Sequence, residues 1–109
     1  MEIGIDIVEI DRIKLNNDHF IKRVLTNKEY EIFDSLNNDT RRKEYIASRF
    51  AVKEAYMKAK KVGLGSISFQ DIEVLNDEFG APYLNDPHAK VSISHEIHYA
   101  VAIVLIENT

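Results

Sequence analysis

The stretch that decides the fold is "YAVAIVLIE", residues 99–107. Its side chains are apolar on both faces of an alternating pattern, which is typical of a strand with neighbours on either side. The segment before it, "KVSISH" at residues 90–95, also alternates, and the "EIH" between them is short enough for a hairpin turn. We therefore predict an antiparallel pair whose C-terminal strand lies at the centre of a sheet.

A further strand is predicted near the start of the chain, where "GIDIVEI" occupies residues 4–10. Isoleucines alternate through this segment with Gly4, Asp6 and Val8, which share the opposite face. Aspartate is rare in strands, and an unpaired buried carboxylate is costly. Asp6 must therefore face water or have a partner that fixes its charge.

Helical periodicity fills the segment between residues 11 and 61. Thr26 and Glu29 have the spacing of a capping box. An apolar stripe with an adjacent row of alanines runs through the longest helix, which Gly63 is expected to end. The predicted helical segments are "RIKL" capped by Asp11, "HFIKRVLT", "NKEYEIFDSL" and a long helix over about 41–61.

The hydrophobic period changes to two after that helix. "FQDIEVL" at 69–75 alternates, "NDEFG" is a turn, and "APYL" returns as a short strand that Pro82 confines to an edge or a strand start. With a strand, then helices, then strands in this order, we predict one α+β domain over residues 1–109. Its helices pack against a largely antiparallel sheet.

The composition is that of an ordinary globular protein, with 45% hydrophobic and 29% charged residues among 109. No apolar run is long enough to span a bilayer, and the chain enters strand pattern at once without a secretory leader. We therefore expect a cytoplasmic protein that does not bind membranes. The absence of cysteine excludes disulfides, thiolate nucleophiles and zinc–thiolate sites.

The charge is unevenly distributed. A formal net charge of −4 and a pI near 5.5 argue against a general nucleic-acid binder. Residues 12–28, however, contain five lysines and arginines against one aspartate, which gives +4 there and −8 for the rest of the chain. This basic segment predicts a docking surface for an acidic partner, with a solvated helix face as the alternative.

A second unusual carboxylate, Glu54, lies in "RFAVKEAYMKA", residues 49–59. On a helix it falls about 40° from Phe50 and about 60° from Met57, at the edge of the apolar stripe. One interpretation is an exposed ion pair with Lys58. The other is a Mg²⁺ site shared with Asp6, because Mg²⁺ needs only one or two carboxylates beside water and phosphate oxygens. In that case the basic side chains of the helix would hold phosphates, namely Arg49, Lys53 and Lys58.

The segment "SISHEIHYAVA", residues 92–102, adds a histidine. In the strand pattern His95 shares a face with Val91 and Ile93, which predicts an inner position. Two roles are therefore open for His95, that of a hydrogen-bonded core residue and that of a catalytic residue.

Three blocks carry a family resemblance: "GIDIVEIDRI" (4–13), "RFAVKEAYMKA" (49–59) and "SISHEIHYAVA" (92–102). Together with "LGSISFQDIEV" and "GAPYL" between them, the chain resembles the holo-acyl-carrier-protein synthases, the small trimeric class of 4′-phosphopantetheinyl transferases. The resemblance implies a Mg²⁺-dependent transfer of the phosphopantetheine arm of coenzyme A onto a serine of an apo acyl carrier protein. Adenosine 3′,5′-bisphosphate is released, fatty acid biosynthesis is supported, and active sites lie between the subunits of a homotrimer.

The resemblance also implies roles for individual residues. Asp6 and Glu54 would bind the metal, and with Lys58 they form the expected catalytic set. Glu54 is the leading candidate for the base, because the nucleophile arrives on the carrier. The expected coenzyme A contacts are Arg41, Arg49, Lys53, Lys58, Gly65, Pro82 and His95. The expected carrier-docking residues are Arg12, Lys14, Phe20, Lys22 and Arg23.

Two alternatives remain open from the residues. A non-enzymatic carrier-binding or oligomerisation module would use the same basic segment, with Asp6 and Glu54 as incidental polar residues. A Mg²⁺-dependent nucleotide hydrolase would use water in place of the serine nucleophile, and would turn over its nucleotide without any carrier protein.

Overall fold

The computed structural model describes residues 1–62 and 65–107. In chain order its helices and strands are β1 (Glu2–Glu9), α1 (Asp18–Val24), α2 (Asn27–Ser35), α3 (Asp39–Lys60), β2 (Val74–Asn76), β3 (Pro82–Leu84), β4 (Ala89–His95) and β5 (Tyr99–Ile106). Two single turns of 3₁₀ helix are also present, Ile10–Arg12 after β1 and Phe69–Asp71 before β2.

The main sheet has three antiparallel strands in the order β1, β5, β4. Strand β5 is central, as its two apolar faces predict. Strands β2 and β3 pair antiparallel in a separate two-stranded sheet. Helices packed against antiparallel sheets confirm the predicted α+β class.

Helix α3 covers one face of the main sheet and meets β1 at very close range. Gly4 lies at the crossing point, where an added Cβ would overlap the Ala55 carbonyl oxygen and lie 2.8 Å from the Ala59 backbone nitrogen. The same close approach explains the row of alanines on α3, because small side chains let the helix lie near the sheet.

Gly4→Ala is therefore expected to destabilise the fold, by about 2–3 kcal/mol in the free energy of unfolding, because backbone must move to admit one methyl group. Urea unfolding at fixed protein concentration measures this. Gly80→Ala is the comparison, since nothing lies within 4 Å of the added Cβ and its cost would come from its φ of +84° alone. Unchanged stability in Gly4→Ala would contradict the described contact.

The isoleucines of β1 do not face the core. Ile3, Ile5 and Ile7 are 61%, 57% and 61% exposed, while Gly4 and Val8 on the other face are buried against α3. The strand register places these isoleucines beside β5 residues that are half-buried on the same side. We call this surface the outer apolar face, formed by Ile3, Ile5, Ile7, Val101, Ile103 and Leu105.

Several local predictions differ from the structure. The predicted helix "RIKL" is a 3₁₀ turn that ends at Arg12. The first part of "FQDIEVL" is also a 3₁₀ turn, because Ser68 and Asp71 form a capping box there, so β2 begins at Val74. Helix α3 starts slightly earlier than predicted and ends at Lys60 with Lys61 in the left-handed region. The expected stop at Gly63 lies outside the described residues.

The capping box predicted at Thr26 and Glu29 is confirmed, and it extends into the core. Glu29 is fully buried, and its Oε1 lies 2.6 Å from the Nζ of Lys53, whose side chain is 0% exposed. The same Nζ donates to the backbone oxygens of Val24 at 2.6 Å and Phe69 at 3.0 Å. This buried network joins α1, α2, α3 and the second 3₁₀ turn.

Candidate active site

Asp6 has the partner that its position in β1 requires. Its side chain points to the α3 side of the sheet, where the Nζ of Lys58 lies 3.0 Å from Asp6 Oδ1. The same ammonium donates to the Ile5 carbonyl oxygen at 3.0 Å. Lys58 is more than half exposed and Asp6 is largely covered, so the lysine reaches inward from solvent to the carboxylate.

Glu54 lies one helical turn before Lys58, close to the same carboxylate. Burial, and secondly the negative charge of Asp6, raise the pKa of Glu54 above its ordinary value of 4.5, while Lys58 acts in the opposite direction. Two carboxylates that repel each other at a half-buried position favour a cation between them. The sequence-based pairing of Asp6 with Glu54 is thus spatially possible.

The donor set suits Mg²⁺ better than a metal that needs a full protein cage. No cluster of three or more histidine, aspartate or glutamate side chains able to hold a metal occurs within residues 1–62 and 65–107. Mg²⁺ is commonly held by one or two carboxylates and completes its octahedron with water and substrate oxygens. Asp6 and Glu54 fit that pattern.

A cavity of about 540 Å³ opens over this carboxylate pair, and we call it the acidic cavity. Three of the residues predicted to dock the carrier line it together with Asp6 and Glu54, namely Arg12, Lys14 and Phe20. Phe20 is half-buried, and its ring packs edge-on against Phe50 at 5.4 Å between centroids. Phe20 therefore also fixes α1 to α3.

The other two predicted docking residues lie on α1 outside the acidic cavity. Lys22 is exposed, and the guanidinium of Arg23 lies over the Phe69 ring at 5.7 Å from its centroid. The positive side chains of the segment thus run from the rim of the acidic cavity along α1.

A second cavity of about 450 Å³ collects four of the residues predicted to contact coenzyme A. We call it the arginine cavity. The predicted residues that line it are Arg41, Arg49, Pro82 and His95.

Arg49 is the least exposed cation in the arginine cavity, at 6%. Burial lowers its pKa from the ordinary value, yet an arginine remains charged in proteins. Within the described part of the chain, no carboxylate lies within 4.0 Å of its guanidinium, and its Nε has no hydrogen-bond partner there. A buried charge without a counter-ion is costly, so the arginine cavity favours an anionic ligand.

The surroundings of Arg49 were not predicted from the sequence. Tyr45 stacks on its guanidinium, with Cζ 4.2 Å from the ring centroid. Burial raises the pKa of Tyr45 to about 12, so the phenol stays protonated. Ser48 and Asn76 accept hydrogen bonds from the two terminal nitrogens of Arg49. The helical spacing of Tyr45, Ser48 and Arg49 is a sequence signal that could have revealed the stack.

His95 occupies the predicted face of β4 but not the predicted depth. Its strand partner Ala100 is buried, whereas His95 is exposed at the end of the strand, with 48% of its side chain accessible. Its Nδ1 lies 3.7 Å from Glu44 Oε2 in the arginine cavity. The interpretation of His95 as a core residue is therefore wrong, because its side chain borders the open arginine cavity, opposite Glu44 of α3, and not a packed interior.

Two further residues predicted to contact coenzyme A lie elsewhere. Lys53 is used entirely inside the core by Glu29 and two carbonyl oxygens, so it is not available to a phosphate, and that expectation is corrected. Gly65 has a φ of +106° and lines a smaller cavity with Arg23 and Phe69, separate from the acidic and arginine cavities.

The acidic and arginine cavities have no lining residue in common. Glu54 and Arg49 are five positions apart on α3, which places them about 140° apart around the helix axis. One copy of the chain therefore presents its carboxylate pair and the arginines of the arginine cavity on different sides of α3.

Comparison with known proteins decides the family. The family model described as the 4′-phosphopantetheinyl transferase superfamily matches residues 2–104. The chain belongs to this superfamily. The chain is also 45% identical to the holo-[acyl-carrier-protein] synthase of Oceanobacillus iheyensis, over 96% of this chain and 94% of that protein. The synthase of Anoxybacillus flavithermus is 49% identical, over 96% of this chain and 93% of that protein.

Solved structures agree with this membership. The holo-(acyl-carrier-protein) synthase of Bacillus anthracis, in complex with CoA (3′,5′-ADP), superimposes with a TM-score of 0.90 at 44% identity, covering 99% of this chain and 96% of that one. The Helicobacter pylori synthase in complex with coenzyme A superimposes with a TM-score of 0.81 at 32% identity, covering 96% of this chain and 99% of that one. The predictions of the family and of a transferase are confirmed. No helix of the described residues is long and apolar enough to cross a membrane.

Proposed function

We propose that this chain is a cytoplasmic enzyme that moves the 4′-phosphopantetheine group of coenzyme A onto a serine of an apo acyl carrier protein. The reaction depends on Mg²⁺, releases adenosine 3′,5′-bisphosphate and supports fatty acid biosynthesis. Relatives that cover almost the whole chain are named for this synthase activity, and two of them are described in complex with coenzyme A or its nucleotide part.

The observation that carries the proposal is the combination of the two cavities. Asp6 and Glu54 form a carboxylate pair suited to Mg²⁺, with Lys58 beside them. Arg49 adds a buried cation that has no carboxylate within 4.0 Å among the residues the structure describes. Together they match the charge pattern of a substrate that has a pyrophosphate and a separate 3′-phosphate.

In this proposal Asp6 and Glu54 hold Mg²⁺, which when bound supplies positive charge to the phosphate oxygens. Lys58 is exposed enough to contact the same oxygens, and it neutralises the charge that develops as the pyrophosphate bond breaks. The serine of the carrier attacks in line at the phosphorus that bears the pantetheine. The nucleophile thus comes from the partner, consistent with a chain that has no cysteine.

Glu54 is our candidate for the group that accepts the serine proton, directly or through a water. Arg41, Arg49 and His95 bind phosphate in the arginine cavity, and Pro82 lines its wall.

We further propose a homotrimer whose active sites lie between neighbouring subunits. The outer apolar face is large and exposed, and such surfaces mark interaction sites. Cyclic association would also bring the acidic cavity of one subunit to the arginine cavity of the next. That arrangement would unite two sets of residues that one subunit keeps apart.

Ile5→Lys is expected to break this assembly, because it places a charge in the middle of the outer apolar face. Light scattering after size exclusion should change from a trimeric to a monomeric mass, with loss of transfer. Ile97→Lys alters an isoleucine in the β4–β5 turn that is more exposed than Ile5, at 78% against 57%, and should stay trimeric. A monomeric wild-type protein would contradict the assembly.

The basic residues of α1 and the rim of the acidic cavity would bind the acidic carrier. Lys22→Glu is expected to raise the KM for the carrier about tenfold and leave the KM for coenzyme A unchanged, because opposite charges steer and orient the encounter. The effect should shrink at high salt. Lys60→Glu, at the exposed end of α3, is the matched charge reversal outside the basic segment. Equal effects of both substitutions would argue against a specific docking surface.

Intact-mass spectrometry of an apo acyl carrier protein tests the proposed function. Incubation with coenzyme A, Mg²⁺ and this protein should add one phosphopantetheine, and EDTA should prevent the addition. If several carriers are bound but never modified, the chain is a binding module. If coenzyme A is cleaved without a carrier, it is a hydrolase.

A further inference from the structure

Among the residues that the structure describes, the guanidinium of Arg49 has one hydrogen-bond partner outside its own helix. Tyr45 and Ser48 lie on α3, within one turn of Arg49, so their contacts follow from helix geometry. Asn76, at the end of β2, is the partner from another element, and its Oδ1 accepts a hydrogen bond from Arg49 Nη2. This bond ties α3 to the β2–β3 sheet.

The same asparagine also holds a turn that lines the arginine cavity. Asn76 Nδ2 donates to the carbonyl oxygen of Gly80 at 2.9 Å. Gly80 has a φ of +84° and lines the arginine cavity with Pro82 and Arg49. Inside the turn, Asp77 accepts hydrogen bonds from backbone nitrogens, which gives the turn a defined shape. One amide group therefore fixes both the guanidinium of Arg49 and the turn that carries Gly80.

We propose that Asn76 is a positioning residue for phosphate recognition in the arginine cavity. A guanidinium reads a phosphate through a planar fork of donors, so its orientation decides how many hydrogen bonds it can make. Asn76 itself lines the arginine cavity, and in this proposal it acts by holding Arg49 and Gly80 in place and not by binding the phosphate. This inference rests on the proposed function, in which Arg49 binds the 3′-phosphate of coenzyme A.

Asn76→Leu tests the proposal, because leucine has a similar volume but makes neither hydrogen bond. Binding of coenzyme A and of dephospho-coenzyme A, which lacks the 3′-phosphate, is measured by titration calorimetry. Transfer kinetics are measured with both compounds. For coenzyme A, we expect Kd and KM to rise about tenfold with kcat within about twofold of wild type. Both constants for dephospho-coenzyme A should stay the same.

Asn85→Leu is the matched control, at the residue that directly follows β3 of the same two-stranded sheet. Asn85 Oδ1 accepts from the Glu73 backbone nitrogen and its Nδ2 donates to the Asp71 carbonyl oxygen, both at 3.0 Å. It thus makes two similar hydrogen bonds, but it does not line the arginine cavity. Its loss should lower stability without changing the preference for coenzyme A over dephospho-coenzyme A.

Three results would overturn the proposal. The first is an equal loss of affinity for both compounds in Asn76→Leu. The second is the same change of preference in Asn85→Leu, which would make the effect a general one of the β2–β3 sheet. The third is a wild-type protein that binds both compounds equally. If the wild type prefers coenzyme A but modifies no carrier, the proposed function fails and the binding constants still decide the role of Asn76.

Discussion

Asp6→Asn and Glu54→Gln are each expected to lower the rate of carrier modification by at least about a hundredfold, with little change in the fold. Each substitution keeps the size of the side chain but removes one of the two negative charges that would hold Mg²⁺. The rate is measured as phosphopantetheine added to the carrier at saturating coenzyme A and increasing Mg²⁺.

Glu2→Gln is the matched control for these substitutions. Glu2 also lies on β1 and pairs with a lysine at the end of α3, with Lys61 Nζ 3.4 Å from Glu2 Oε2. The pair lies outside the acidic cavity, so its loss should leave transfer unchanged. Near wild-type activity in both Asp6→Asn and Glu54→Gln would rule out the proposed metal site.

The pH dependence of the Mg²⁺ requirement follows from the same pair. Burial and the nearby Asp6 raise the pKa of Glu54, and only the ionised carboxylate binds the metal. As the pH falls through that raised pKa, the Mg²⁺ concentration for half-maximal rate should increase, and it should do so at a higher pH than for an ordinary glutamate. If the Mg²⁺ concentration for half-maximal rate stays constant until the pH reaches the ordinary pKa of glutamate, 4.5, the proposed role of Glu54 in metal binding is contradicted.

The largest stability effect is expected at Lys53. Lys53→Met should lower the free energy of unfolding by about 3–5 kcal/mol, because it leaves the carboxylate of Glu29 charged and unpaired in the core. The carbonyl oxygens of Val24 and Phe69 also lose their donor. Urea unfolding at a single protein concentration measures the loss, since the proposed assembly would make stability depend on protein concentration.

A double substitution separates the stability lost by breaking the ion pair from the stability lost through poorer packing. Lys53→Met with Glu29→Leu should be less destabilised than the sum of the single variants, because no buried charge remains. Recovery should be incomplete, since Glu29 also accepts from the backbone nitrogens of Thr26 and Val74. Additive losses would mean that the two charges do not depend on each other.

Much of the fold follows from local pattern. Two apolar faces on "YAVAIVLIE" predict the central strand, and the spacing of Thr26 and Glu29 predicts the start of α2; both are confirmed. These features depend on residues close together in the chain. The proximity of Asp6 to Glu54 came from the family resemblance and from the position of Glu54 at the edge of the apolar stripe.

The sequence pattern could not predict the features that depend on contacts between residues far apart in the chain. Alternation along β1 shows that the strand has two faces but not which one α3 covers, so the exposure of Ile3, Ile5 and Ile7 was not foreseen. A lysine in a helix is ordinarily solvated, and Lys53 is buried because Glu29, 24 positions away, lies opposite it. Asn76 has a role only once the turn carrying Gly80 is folded against Arg49.

Mixed oligomers of Glu54→Gln and Arg49→Met test the central claim, that two subunits complete each transferase site, most directly. One variant keeps the arginine cavity and the other keeps the acidic cavity, so a random mixture should contain both intact halves at about a quarter of the interfaces. Transfer to the carrier, measured by intact mass, should then clearly exceed the sum of the separate variants. Activity no greater than that sum, in oligomers shown to contain both chains, would contradict the shared site.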